Sequence, residues 1–127
     1  MFSHVMIGTN DLEKAKHFYD AVLGALVYAE GLLRSKGDYV YASDRGLFMV
    51  TRPKDGQSAT HANGGTIGFA CHSTDQVDRW HAAGVANGGK SIEDPPGVRE
   101  TQGGRLYLAY LRDPDGNKLC AMHQLVA

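Results

Sequence analysis

The feature that most constrains this chain is an internal repeat. Aligning His4-Val5-Met6-Ile7-Gly8 on Thr66-Ile67-Gly68-Phe69-Ala70 places Ala15 on Val77, Phe18 on Trp80 and Ala21 on Ala83 without a gap. Apolar positions recur on any helix that packs on a strand, so a partial match is cheap. Recurrence of strand, cap and helix in one register is not, and it reads as a duplicated β-α unit whose copies bury their apolar faces.

In the first copy, apolar Val5 and Ile7 alternate with His4, Met6 and Gly8, the pattern of a half-buried strand with His4 on the side away from Val5 and Ile7. Asn10 with Glu13 three residues later has the form of a capping box. Leu12, Ala15, Phe18, Tyr19, Val22 and Leu23 follow at helical spacing, and Gly24 is a natural stop. Extended segments are expected over Ala25 to Glu30, over Leu33 to Ser43 with a break at Lys36-Gly37-Asp38, and over Gly46 to Thr51. The first half therefore reads β-α-β-β-β. Arg52 to Gly65 is polar, has no hydrophobic period and serves as the linker.

The second copy repeats the order. Thr66 to Ala70 is a strand, Ser73 with Gln76 forms a capping-box pattern, and Val77, Trp80, Ala83 and Gly84 supply a helical face. Ser91 to Gly104, with Asp94-Pro95-Pro96-Gly97 and Gly103-Gly104, is expected to be a loop. Arg105 to Leu111 and Lys118 to Met122 are strands flanking Asp113-Pro114-Asp115-Gly116-Asn117. There Pro114 presets a turn, Gly116 permits positive φ, and the aspartates can accept from local amides. The two strands are antiparallel neighbours.

At 127 residues the chain suits one compact domain. Its 13 basic and 14 acidic residues are interspersed, so no broad field favours nucleic acid or an anionic membrane. No apolar run approaches the ~18 residues of a membrane span, and the first residues lack a signal-peptide pattern. A cytoplasmic protein is expected. Cys71 and Cys120, the two cysteines, have no zinc-site spacing and read as free thiols.

The segments His4-Val5-x-Ile7, Thr9-Asn10-Asp11-Leu12, Phe18-Tyr19 before Leu23-Gly24, and Asp113 to Asn117 before the last strand together resemble the vicinal oxygen chelate superfamily. This is also called the glyoxalase, bleomycin-resistance and extradiol-dioxygenase superfamily. The resemblance implies an α+β fold: a single domain, residues 1–127, with two βαβββ modules forming a curved mixed sheet around a cleft and helices outside. Module one is 1–51, the linker 52–64 and module two 65–127. It also implies a homodimer. Metal-dependent members place His or Glu ligands on the first and last strands of the modules. Carried over, His4 matches, Thr66 stands where His is expected, and Cys120 stands where Glu is expected. Near the fourth position the chain offers Met49 and Val50. A Thr hydroxyl is a poor ligand for a divalent ion, whereas a Cys120 thiolate suits a soft or borderline metal.

No metal cage or other cofactor is therefore expected. The alternative is a metal-dependent lyase or dioxygenase of the same superfamily with a non-standard ligand set. Cys120 reads as a small apolar cleft residue, or else as a nucleophile with His4 as base, which would need a depressed pKa. Cys71 should face the helices. His17 and His81 read as exposed helix residues, His61 as linker, and His123 as opposite in face to Cys120. Tyr28, Tyr39, Tyr41, Tyr107 and Tyr110 include phenols useful at a cleft. Arg99 and Arg105 read as solvated loop charges, or else as groups that could greet an anionic substrate. The ligand-binding candidates are His4, Thr66, Tyr107 and Cys120, with no catalytic residue assigned. The expected partner is a small molecule, bound by a homodimer that engages neither nucleic acid nor membrane.

Overall fold

The computed structural model describes residues 1–125. Its elements run β1 (His4–Gly8), α1 (Leu12–Gly24), β2 (Leu32–Leu33), β3 (Tyr39–Ser43), β4 (Gly46–Thr51), β5 (Ile67–Ala70), α2 (Thr74–Ala86), β6 (Lys90–Thr101), β7 (Gly104–Arg112) and β8 (Lys118–Gln124). Two four-stranded sheets form, ordered β1-β4-β3-β2 and β5-β8-β7-β6. In each, the first strand runs parallel to the fourth and the other pairs are antiparallel. This is the α+β arrangement of two βαβββ modules that the repeat implies. Both helices span 13 residues and coincide in the ungapped register of the repeat. Among the described residues no helix is long and apolar enough to cross a membrane.

One core joins the modules. Phe18, Tyr19 and Val22 of α1, Val77 and Trp80 of α2, Phe48 and Val50 of β4, and Leu111, Leu119 and Ala121 of β7 and β8 belong to one buried cluster. Gly84 marks the closest approach. A Cβ there would lie 2.3 Å from Leu111 Cδ1 and 3.2 Å from Val22 Cγ1, so any side chain at this position would force the buried Leu111 to shift.

The turn after β7 locks the two halves. Asp113, 4% exposed, accepts from Tyr19 Oη at 2.5 Å, from Asn117 Nδ2 and N at 2.8 Å each, and from Asp115 N at 3.0 Å. Burial raises the Asp113 pKa against the pull of these donors, and burial with the Asp113 charge raises that of Tyr19 well above the usual phenol value. Asp115 accepts from Thr9 Oγ1 at 2.5 Å and from Asn10 N at 2.9 Å, so a module-two carboxylate holds the chain entering α1.

Several local expectations are corrected. Asp11, not Asn10, caps α1, accepting from Lys14 N at 3.1 Å. Asn10 instead clasps the linker, donating to Ala59 O at 3.2 Å and accepting from Ala59 N at 2.7 Å. Glu13, freed from a cap role, accepts from the Tyr39 hydroxyl at 2.8 Å. At α2 the expected cap is present: Ser73 accepts from Gln76 N, while Gln76 Oε1 reaches back to His72 N.

Ala25 to Glu30 is not a strand. Tyr28 N donates to Leu23 O and Val27 N to Gly24 O, closing the helix with Val27 in the left-handed region at φ 70°. The expected loop from Ser91 to Gly104 is instead largely β6, which reaches Thr101. Its register against β7 shifts between Ile92 and Gly97, a bulge that absorbs Pro95 and Pro96. Proline survives here because β6 is an edge strand, where a missing N–H breaks no ladder.

Two stability outcomes follow. Tyr19→Phe removes one donor from a buried carboxylate and should lower unfolding free energy by about 1–3 kcal/mol in urea denaturation with an unchanged slope. Val27→Gly relieves a β-branched residue from left-handed backbone at an exposed site and should raise stability by roughly 1 kcal/mol in the same assay.

Candidate functional site

Strand parity sorts the side chains into two faces. Val5 and Ile7, like Leu119 and Ala121, point to the shared core. The faces opposite the helices therefore look outward. On module one this face carries His4 and Met6 of β1, register partners of Leu47 and Met49 on β4. On module two it carries Cys120, with Gly68 of β5 on one side and Tyr110 of β7 on the other.

His4 borders a cavity of about 190 Å³ between the modules. Val5, Tyr41 and Phe48 line it from module one, and Ile67 and Phe69 from module two. The rings form a row, with Tyr41 and Phe48 centroids 6.2 Å apart and Phe48 and Phe69 5.5 Å apart. Exposed His4, Tyr28 and Arg45 add polar groups to this apolar wall. His4 Nδ1 lies 2.8 Å from Ser3 Oγ. Tyr41 donates to Asp20 Oδ1 at 2.8 Å, and burial pushes its phenol well above the ordinary range, keeping it a neutral donor.

Cys120 has a different setting. Its side chain is buried, Tyr110 is its register partner across the strands, and its Sγ lies 3.5 Å from Ala121 O. Lys118, two residues along the same face, places Nζ 4.9 Å from the Tyr110 ring centroid and pairs with Glu93 at the bulge. Burial raises the Cys120 and Tyr110 pKa values, and burial pushes Cys71 up to about 11. A raised thiol pKa is the reverse of what a cysteine nucleophile at neutral pH requires.

The four expected ligand residues do not gather in one place. His4 lines the cavity; Thr66, Tyr107 and Cys120 do not. Thr66 is exposed just before β5. Tyr107 shares parity with Ala109 and Leu111, so it turns to the helices and donates to Asp78 on α2 at 2.8 Å. Cys120 keeps the outward face that the strand pattern implies, and Cys71 and His123 lie on the other side, His123 Nδ1 being 3.1 Å from Cys71 O. Among the described residues no group of three or more His, Cys, Asp or Glu side chains is placed to hold a metal ion. Met49 is buried on the outward face of β4 and is not a hard ligand. The donor set does not fit the divalent cage of the family's metalloenzymes.

The neighbours of Cys120 escaped sequence reading, although Tyr110 and Arg99 drew notice for other reasons. The signal was the turn itself: because Arg112 pairs with Lys118 across it, Tyr110 must face Cys120. Glu93 had no such signal, since the bulge alone brings it to Lys118.

Two duplicated modules, a shared helical core and outward-looking sheet faces define a class of small βαβββ proteins that host sites on their sheets. The chain belongs to the Glyoxalase/Bleomycin resistance protein/Dioxygenase superfamily, whose family model matches residues 1–121. It is similar to the crystal structure of a glyoxalase/bleomycin resistance protein from Albidiferax ferrireducens T118, at 57% identity and TM-score 0.95, covering 98% of this chain and 99% of that one. The fold is also that of a glyoxalase/bleomycin resistance protein/dioxygenase family enzyme from Burkholderia phytofirmans PsJN, at 20% identity and TM-score 0.74, covering 97% and 98%. A lactoylglutathione lyase from Agrobacterium tumefaciens shares it at 21% identity and TM-score 0.66, covering 96% and 92%. No curated protein matches the chain.

The raised thiol pKa values predict slow alkylation at neutral pH. Iodoacetamide labelling followed by mass spectrometry should show both cysteines protected at pH 7.5, with Cys120 rates still climbing above the ordinary thiol pKa near 8.5. Rapid, pH-independent labelling of Cys120 near pH 7 would contradict the buried neutral thiol.

Proposed function

We propose that this chain binds a small, largely aromatic molecule in the cavity beside His4, without a divalent metal cage, as a cytoplasmic homodimer. The observation that carries this reading is the cavity itself, with its row of Tyr41, Phe48 and Phe69 rings and its few polar groups at His4, Tyr28 and Arg45. Concave apolar sites with a small number of placed polar groups are the usual form of small-molecule sites. Membership of the superfamily agrees with this, since members commonly bind small ligands on this scaffold. His4 serves as a hydrogen-bonding group to the ligand.

The homodimer reading draws on the outward faces. Met6 and Met122 are 44% and 40% exposed there, and Leu47 is 38% exposed. A second copy covering these faces would remove that apolar area from water.

Titration with phenol and indole, followed by calorimetry, tests the binding. Each should bind with the same affinity before and after treatment with EDTA. Ile67→Trp, which fills the cavity from module two, should weaken binding at least about tenfold, and His4→Ala only about two- to fivefold, the worth of one hydrogen bond. Affinity lost on chelation and restored by a divalent ion would sink the metal-free reading in favour of a metal-dependent one. Light scattering should give a dimer mass.

A further inference from the structure

One carboxylate on α1 holds the aromatic wall of the cavity from behind. Asp20 Oδ1 accepts from the Tyr41 hydroxyl at 2.8 Å and from Gly31 N at 3.0 Å, while Oδ2 pairs with Lys16. Tyr41 of β3 is 4% exposed and borders the cavity. Gly31 ends the connection between α1 and β2, whose Tyr28 also borders the cavity and whose start is fixed by Tyr28 N on Leu23 O. Asp20 thus fixes a wall residue and the segment that carries a second lining residue.

Gly31 is pressed against the ring that shares its carboxylate. A Cβ there would lie 2.7 Å from Tyr41 Cζ, 2.8 Å from Oη and 3.0 Å from Cε1. These atoms are the tip of a buried ring tied down through its hydroxyl, so an added methyl is accommodated only by moving the ring. On the core side the ring has packed neighbours, with the Tyr19 and Phe48 centroids 6.4 Å and 6.2 Å away. The cavity is the open space left for it. Because the hydroxyl is engaged by Asp20, Tyr41 offers a ligand its ring and not its O–H.

We propose that Tyr41 sets the size of aromatic ligand that the cavity admits, and that Asp20 and Gly31 are positioning residues. The carboxylate draws the phenol tip out of the cavity, and the missing Cβ leaves the tip room to stay there. This deepens the reading of the cavity as a ligand site and rests on it.

Calorimetric titration of the full chain with phenol and with indole compares a one-ring with a two-ring ligand. A variant that merely lowers the folded fraction weakens both alike and leaves the ratio of affinities where it was. Gly31→Ala should lower the indole-to-phenol ratio at least about fivefold, since the larger ligand loses the space that a displaced Tyr41 takes. Asp20→Ala should lower it about twofold or more, and Asp20→Asn, which keeps an acceptor, should restore most of that loss. Tyr41→Leu should raise the ratio about threefold or more, and in the Gly31→Ala background should return it at least to the value of the unaltered protein. Should Gly31→Ala fail to fold, the partly exposed Asp20 site and Tyr41→Leu decide. The proposal is overturned if Gly31→Ala, Asp20→Ala or Tyr41→Leu leaves the ratio unmoved, or if Tyr41→Leu fails to rescue Gly31→Ala. If neither ligand binds the unaltered protein, the cavity reading falls and takes this one with it; if both bind and the ratio holds through every variant, only the role of Tyr41 and its two holders falls.

Discussion

A pair of aspartates in one five-residue turn holds the molecule together. Asp113 gathers its own turn and reaches into module one for the Tyr19 phenol, while Asp115 takes Thr9 Oγ1 and the Asn10 amide at the entrance of α1. A buried carboxylate is tolerable only when its lone pairs are occupied, and here the occupants come from both halves of the chain. The modules are therefore not two beads packed by hydrophobicity alone. Their relative placement is specified by directional bonds, and everything else at the interface, from Gly84 against Leu111 to Phe48 against Phe69, is arranged around that fixed joint.

Much of the fold could be read from the residues because the duplication constrained both halves at once. Phe18 and Trp80, matched by alignment, are both wholly buried, and each helix begins and ends at equivalent positions. Where reading failed, a local rule was overridden by context. Pro95 and Pro96 looked like a loop, but an edge strand with a bulge accommodates them. Ala25 to Glu30 had strand-like composition, but its amides close the end of α1 and hold Val27 in a conformation that β-branched residues avoid. Asn10 looked like a cap, but the neighbouring Asp11 took that role and left Asn10 for the linker.

The candidate site was less legible for a related reason. Facing depends on register, and a one-residue change reverses it. Tyr107 and Tyr110 are similar in composition and position, yet one is committed to Asp78 on a helix and the other to Cys120 on the open face. The departures at Thr66 and Cys120 were visible at once, and they carried chemical content, since a hydroxyl and a thiol are different donors from the His and Glu that the resemblance implies. Beside Cys120 the open face carries a cation and a phenol, Lys118 and Tyr110.

The bulge in β6 has one more consequence, for the company the protein keeps. Sheets end in rows of unpaired amides and carbonyls that invite another chain to add a strand. Pro95 and Pro96 remove two donors from one such border and kink it, and at the far border of the other sheet β2 is only two residues long. Both modules are thus blunted at their outer margins, so the same irregularity that shapes the face beside Cys120 also discourages open-ended growth by strand addition.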